Sequence, residues 1–290
     1  MSLSISCSLS LYADDSAIYF AHRNASNIAE RLSRELSLCK KWLVDNKLSL
    51  HVGKTESILF GSKGRLRTVR DFTVFCEGTA VDRVSQVKYL GALLDANLSG
   101  SHHAVNVLKT CAGRLAFLFR NSSLMDVRTR KMLCTALIQP HLDYCVSSWY
   151  SGLTAILKRR LDVIQRKMAR FVFDFDRRRH VGNAELNCLS WLNVPDRVNF
   201  FKLVHIYRIR HDLAPPYLRS SFTGVAQTHS YRTRGSEMNY HLSKELSLAP
   251  TSFAFTGIKQ WNCLPDCIRQ SSSLMVFKSK LRKYLLNRYS

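Results

Sequence analysis

Ser8-Leu9-Ser10-Leu11-Tyr12-Ala13-Asp14-Asp15-Ser16-Ala17-Ile18-Tyr19-Phe20 decides how the rest of the chain is read. Polar and apolar residues alternate up to Leu11, and an apolar strand pattern resumes at Ala17. The interruption between them predicts a tight hairpin carrying Asp14 and Asp15 at its tip. Neighbouring residues of a flat strand point to opposite faces, so two adjacent acids serve one site only from a turn. Carboxylates so placed suit Mg²⁺, which takes one or two of them together with water and substrate phosphates. A pair of such ions activates an attacking hydroxyl and stabilises a leaving oxygen in phosphoryl transfer. The plainer alternative is a solvated Asp-Asp turn, the commoner case for an isolated pair because Asp is a frequent turn former.

Working outward, the pattern predicts an α+β chain. Asn27 is expected to cap an amphipathic helix whose apolar face holds Ile28, Leu32, Leu36, Leu43, Cys39 and Trp42. Strands are expected over 47–51 and 57–60, joined by Val52-Gly53-Lys54-Thr55, and over 72–76 and 87–94 around a Glu77-Gly78 turn. From about Ser99 the apolar period becomes 3.6. Val105, Leu108, Ala112, Leu115 and Phe119 mark one helix, and Asp126 caps a second running to about Trp149. A third carries Ile156, Leu157, Leu161, Ile164, Met168, Phe171 and Val172 on one side, and Lys158, Arg159, Arg160, Arg166, Lys167 and Arg170 on the other. Beyond Arg177, Pro195 opens a helix that Pro215-Pro216 ends, a loop covers 220–236, and a basic helix spans 274–286.

Lys and Arg total 43 against 21 Asp and Glu, a formal charge of +22. An excess of this size attracts polyanions, nucleic acid first among them, with an anionic membrane surface as the rival. No stretch is long and apolar enough to span a bilayer. The 9 Cys have no CxxC pairs and do not form the regular framework of a small secreted protein. Cys7, Cys39, Cys111, Cys134 and Cys145 lie among apolar residues and are expected as core thiols. His141/Cys145 and Cys263/Cys267 each have helical spacing for half a zinc site, but core or structural roles are the expectation. His102-His103 reads as a polar loop. Met1–Ser10 lacks the basic start and long apolar run of a signal peptide, so a nuclear or cytoplasmic location is expected.

Tyr12-Ala13-Asp14-Asp15 between apolar strands resembles the third active-site motif of reverse transcriptases, in the form used by non-LTR (LINE-type) retrotransposons. Asn46-Lys47-Leu48-Ser49-Leu50 with Gly53-Lys54-Thr55-Glu56 resembles the fourth motif, and Val87-Lys88-Tyr89-Leu90-Gly91 with Leu94-Asp95 the fifth. Leu137-Ile138-Gln139-Pro140-His141-Leu142-Asp143-Tyr144-Cys145, Leu189-Ser190-Trp191-Leu192, Ala214-Pro215-Pro216-Tyr217-Leu218 and Trp261-Asn262-Cys263-Leu264-Pro265 are similar to the C-terminal part of jockey-like elements. The motifs are collinear over nearly the whole chain, which makes the set far more specific than any member.

The resemblance implies a partial polymerase palm over 1–96, a helical thumb over 97–176 and a helical basic C-terminal region over 177–290. It makes Asp14 and Asp15 ligands of Mg²⁺ and Lys54 the lysine that protonates departing pyrophosphate. Tyr89, Leu90 and Gly91 become the primer grip, and Lys158, Arg159, Arg160, Arg166, Lys167 and Arg170 contact a template–primer of RNA and DNA. The family's first metal-binding Asp and its fingers lie upstream of this motif, whereas 13 residues precede Asp14 here and none is acidic. Weak or absent Mg²⁺ binding and no polymerisation by this chain alone are therefore expected. Leu3, Ile5, Leu9 and Leu11 would border an open sheet edge, a route to self-association. Two further readings stand beside a truncated reverse transcriptase: a non-catalytic nucleic-acid-binding protein, and an open reading frame without a selected role.

Overall fold

The computed structural model describes residues 7–123, 125–176, 178–225, 238–244 and 249–289. It mixes helix with small sheets and divides into two compact units, Met1–His102 and His103–Ser290.

In the first unit, β1 (Ser8–Tyr12) and β2 (Asp15–Tyr19) pair antiparallel as a two-stranded sheet, closed by the pair Tyr12↔Asp15. The turn needs a positive φ at its first central residue, and Ala13 supplies it at 51°. α1 (Ala25–Asp45) follows. Its cap is Asn24, whose side chain accepts the Ser26 N–H at 2.9 Å, and not Asn27 as the sequence suggested. A cap must precede the first helical turn, and Asn27 already lies inside it.

α1 lies on a three-stranded sheet ordered β3 (Glu56–Ser57), β5 (Thr79–Arg83), β4 (Val74–Cys76). β3 runs parallel to β5 and β4 antiparallel. Ala29, Phe72, Val74, Cys76 and Val81 form the core beneath the helix. Ser33 Oγ accepts the Phe75 N–H at 2.8 Å and donates to the Ala29 carbonyl at 2.7 Å, pinning helix to sheet.

Several expected strands differ. Residues 47–51 form no strand, Val52–Lys54 is a 3₁₀ turn, and α2 (Lys63–Thr68) was not foreseen. The run 87–94 is a hairpin, β6 (Gln86–Tyr89) against β7 (Ala92–Asp95). Its turn uses positive φ at both Leu90 (45°) and Gly91 (81°). Leucine is rarely left-handed, so the residue type concealed the turn. The Asp95 carboxylate, buried at the end of β7, accepts from the N–H groups of Asn97 and Ser99 at 3.2 and 2.9 Å and from Ser99 Oγ at 3.0 Å.

The second unit is helical. α3 (Ser101–Arg120), which begins at the unit boundary, buries Ala104, Leu108, Cys111, Leu115 and Leu118, while Val105 and Phe119 are exposed. The expected face was thus rotated, because this helix is apolar on both sides and only packing chooses between them. His103 is not in a loop but buried in the first turn of α3, edge-on to Trp149 at 5.2 Å between ring centroids.

Asp126 caps α4 (Val127–Leu133) as expected, accepting the Thr129 N–H at 2.8 Å. The helix does not run unbroken to Trp149. Pro140 has no N–H to continue the ladder, and the chain widens into a π turn over Cys134–Ile138. α5 (Gln139–Asp143) and α6 (Val146–Trp149) are then separated by Cys145 at φ 50°. Cys145 is exposed, whereas Cys7, Cys111 and Cys134 are buried.

α7 (Ala155–Phe173) and α8 (Asn183–Cys188) lead to α9 (Val194–Arg210), with Pro195 in its first turn. α9 stops at Arg210, before Pro215. It serves two cores: Val194 and Val198 join α3, α7 and Trp191 in one, and Leu203, Ile206, Tyr207 and Ile209 join the last helices in the other. Those are α10 (Phe253–Asn262), α11 (Asp266–Arg269) and α12 (Leu274–Leu286). The expected span 274–286 matches α12. Tyr207 stacks on Phe277 at 4.4 Å, and Trp261 donates from Nε1 to the Met238 carbonyl at 2.8 Å. Of the loop expected over 220–236, Ser220 and Ser221 end a 3₁₀ turn (Pro216–Ser221) and Gly224 bridges Tyr240. Leu3, Ile5 and residues 226–236 lie outside the described residues.

Candidate nucleic-acid interface

The two-residue turn places Asp14 at the tip of the β1–β2 hairpin and Asp15 at the start of the returning strand, both exposed. Leu11 and Tyr12 beside them are each 65% exposed. Among the described residues no group of three or more His, Cys, Asp or Glu side chains is gathered to hold a metal ion. Two adjacent exposed carboxylates do not make up the donor set of a two-metal centre.

Tyr89 is brought to this hairpin: its hydroxyl and Ser10 Oγ of β1 share a hydrogen bond at 3.0 Å. Leu90 and Gly91 form the tip of the neighbouring β6–β7 hairpin. Lys54 ends the 3₁₀ turn Val52–Lys54 and is exposed, with no ion pair to Asp14 or Asp15 among the described residues. Five sequence-predicted residues, Asp14, Asp15, Tyr89, Leu90 and Gly91, thus belong to two hairpins joined by the Ser10–Tyr89 hydrogen bond, and Lys54 belongs to neither.

The basic side of α7 divides into two groups. Arg159, Arg160 and Lys167 are exposed on a stripe that also shows Ile156 and Val163. The other three cations are turned to the chain itself. Arg166 donates to the Val181 carbonyl at 2.5 Å and Arg170 to the Arg179 carbonyl at 2.9 Å. Lys158 Nζ lies 3.4 Å from the Ser151 carbonyl and 5.3 Å from the Tyr150 ring centre. Asp162, the acid nearest this face in sequence, has its carboxyl pushed up by burial, against the opposing pull of Arg166.

Lys202 of α9 escaped the sequence reading, since nothing in Asn199-Phe200-Phe201-Lys202 announces a buried amine. It is 3% exposed and donates to Ser151 Oγ at 2.6 Å and Thr256 Oγ1 at 2.9 Å. Burial, then the charge of Lys158, push its pKa from 10.5 down to about 8. The unfolded chain therefore holds this proton more tightly between about pH 8 and 10.5, so the contribution of this amine to stability rises with pH across that window. Lys202→Met should remove the rise and stabilise the helical unit at neutral pH by about 3 kcal/mol. Urea unfolding of both proteins from neutral to alkaline pH checks this through their difference, because the buried Cys111 and Cys134 thiols, pushed up to about 12, lower the stability of both as pH rises above about 9. An advantage of Lys202→Met that does not shrink between about pH 8 and 10.5 would contradict it.

The first unit thus sets a hairpin with paired acids at its turn beside a second hairpin, and the helical unit carries exposed cations on α7. In comparison with known proteins, the chain is similar in sequence to RNA-directed DNA polymerases of non-LTR retrotransposons. It is 28% identical over 176 residues to the probable RNA-directed DNA polymerase from transposon BS of Drosophila melanogaster, covering 57% of this chain and 18% of that protein. To the RNA-directed DNA polymerase from mobile element jockey of Drosophila funebris it is 22% identical over 166 residues, 56% of this chain and 18% of the relative. To the retrovirus-related Pol polyprotein from type-1 retrotransposable element R1 of Bradysia coprophila it is 28% identical over 145 residues, 49% of this chain and 14% of the relative. The chain spans less than a fifth of the length of these relatives. No family model and no solved structure matches it. No described helix is long and apolar enough to cross a membrane.

Proposed function

We propose that the chain is the part of a non-LTR retrotransposon reverse transcriptase that begins near the catalytic hairpin, and that it grips nucleic acid without polymerising by itself. In this reading residues 1–96 are palm, 97–176 thumb and 177–290 a C-terminal nucleic-acid-binding region. Asp14 and Asp15 are metal-directed, Lys54 is the acid for pyrophosphate, and Tyr89, Leu90 and Gly91 hold the primer end. The observation that carries the reading is the seating of Tyr-Ala-Asp-Asp at a two-residue turn, with Tyr89 of the fifth motif hydrogen-bonded to the same hairpin.

Phosphates of a template–primer meet Arg159, Arg160 and Lys167 first, since these are the cations of α7 left exposed. Lys158, Arg166 and Arg170 back them with charge while fastened to backbone carbonyls. Mg²⁺ binds weakly, because two acids without further neutralisation repel one another. The expected location is nuclear or cytoplasmic, where nucleic acid is met. Among the described residues β1 and β2 pair with each other alone, and their exposed Leu9, Leu11, Tyr12 and Tyr19 leave a surface through which copies of the chain associate.

Purified chain given an RNA template, annealed DNA primer, deoxynucleotides and Mg²⁺ should yield no extended primer while still retaining the duplex in a gel shift. Extension that disappears in Asp14→Ala would show a complete catalytic centre and overturn the proposal. Failure to retain any duplex at low salt would remove the nucleic-acid reading itself.

A further inference from the structure

The outer side of α1 carries a second feature that the polymerase reading does not use. A cavity of about 560 Å³ lies along this helix against the β4–β5 turn, lined by Arg34, Ser37, Leu38, Lys41, Val44 and Glu77. Arg34, Leu38, Lys41 and Val44 follow one another at three- and four-residue steps, so they form a single stripe. Its two large aliphatic side chains are unusually open for apolar residues, Leu38 at 42% and Val44 at 56% exposure. Its cations, Arg34 and Lys41, are seven residues apart, about 10 Å along the axis.

The charge of the groove has one sign left over. Glu77, its acidic wall, is already taken by Lys40 at 2.6 Å. Glu35, the acid beside Arg34, is buried and lies nearer Arg31 (3.3 Å) than Arg34 (3.8 Å). Arg34 itself is 62% exposed and Lys41 is exposed. An occupant must therefore bring apolar side chains for Leu38 and Val44, and carboxylates about two helical turns apart for Arg34 and Lys41. Nucleic acid offers the negative charge but not an apolar stripe in register with it. An amphipathic helix laid into a groove offers both.

We infer that this groove docks an acidic amphipathic helix of a protein partner. The apolar face of that helix covers Leu38 and Val44, and its flanking Glu or Asp residues meet Arg34 and Lys41. The groove belongs to the first unit and the basic stripe of α7 to the second, so the inference does not rest on the nucleic-acid reading and can fail without it.

The test uses the full chain and a fluorescent synthetic helix about five turns long, with Leu along one face and Glu along its flanks. Two competitors accompany it: the same helix with Lys for Glu, and a single-stranded RNA. Fluorescence anisotropy should show saturable binding of the acidic helix and none of the basic one. Leu38→Glu should weaken the acidic helix at least about tenfold and leave RNA affinity within about twofold. Lys41→Ser, at an exposed position that the fold does not need, should weaken it a few-fold and carries the test if Leu38→Glu does not fold. Equal binding by wild type and both variants would mean attraction to a +22 protein in general and overturn the inference. Displacement of the helix by RNA, or equal affinity for the basic helix, would overturn it as well.

Discussion

Arg130→Ala should destabilise the helical unit by about 4 kcal/mol, the largest loss expected from a single substitution outside the apolar core. The Arg130 side chain is 8% exposed and spends its donors on four groups. Nε reaches the Met125 carbonyl at 3.0 Å, Nη2 the Ser122 carbonyl at 3.0 Å, and Nη1 both the Phe171 carbonyl at 3.1 Å and the Asp174 carboxylate at 2.6 Å. The guanidinium also stands over the Phe171 ring at 5.5 Å. One side chain thereby ties the turn before α4 to the C-terminus of α7, where Asp174 is left-handed at φ 57°.

Alanine leaves a void where the guanidinium stood and takes a donor from the Met125, Ser122 and Phe171 carbonyls, the last keeping only the long 3.4 Å bond from the Asp174 N–H. Buried polar groups so under-served cost about 1–3 kcal/mol each. The Asp174 contact adds little by itself, because that carboxylate is 77% exposed and well screened. In a unit of this size the loss lowers the melting temperature by about 10 °C. Arg130→Lys recovers only part of it, since an ammonium does not span the same fan of carbonyls. Differential scanning calorimetry checks this, and a shift within about 2 °C would show that the network contributes nothing.

The second large effect concerns binding. Replacing Arg159, Arg160 and Lys167 together by Ala should weaken template–primer binding by about a hundredfold or more at low salt. Each phosphate contact contributes about 0.9 to the slope of log affinity against log salt, so three lost contacts flatten it by about 2–3. All three residues are exposed, so folding is expected to be intact. The same change at Arg166 and Arg170 is expected to act differently. Those side chains hold the carbonyls of Val181 and Arg179, and their removal loosens the 179–181 segment before it subtracts a phosphate contact.

The sequence was most readable where two signals coincided. At the β1–β2 hairpin, alternation in the strands met turn-forming residues between them, and the hairpin is where the pattern put it, though the turn is tighter: β2 begins at Asp15 and not Ala17, so only Asp14 of the two acids sits in the turn. α7 was legible for a similar reason, one apolar face against an opposing cationic face, and α12 as a basic run over 274–286; their caps, Thr154 and Ser273, emerge only in the structure. The β6–β7 hairpin was hidden because Leu90 takes a conformation its side chain disfavours, and β5 because exposed Thr79, Ala80 and Asp82 give no strand signal. The buried face of α3 was misjudged since Val105 and Phe119 are as apolar as Ala104 and Leu118.

Of the candidate site, residue types and order were legible, but burial was not. Six cations in one helix look alike in sequence, and only the fold separates three that are fastened to backbone or ring from three that are open. Lys202 illustrates the limit most clearly. Its amine is interior because α9 and α10 pack around it, a fact of tertiary contact between residues 54 positions apart.

The most direct measurement is the affinity of the purified chain for an RNA–DNA template–primer as salt is raised from about 50 to 200 mM. Wild type and Asp14→Ala/Asp15→Ala should give the same steep log–log line, and the Arg159/Arg160/Lys167 variant a weaker, flatter one. Binding that ignores salt, or that depends on the two aspartates while sparing the triple variant, would contradict the account.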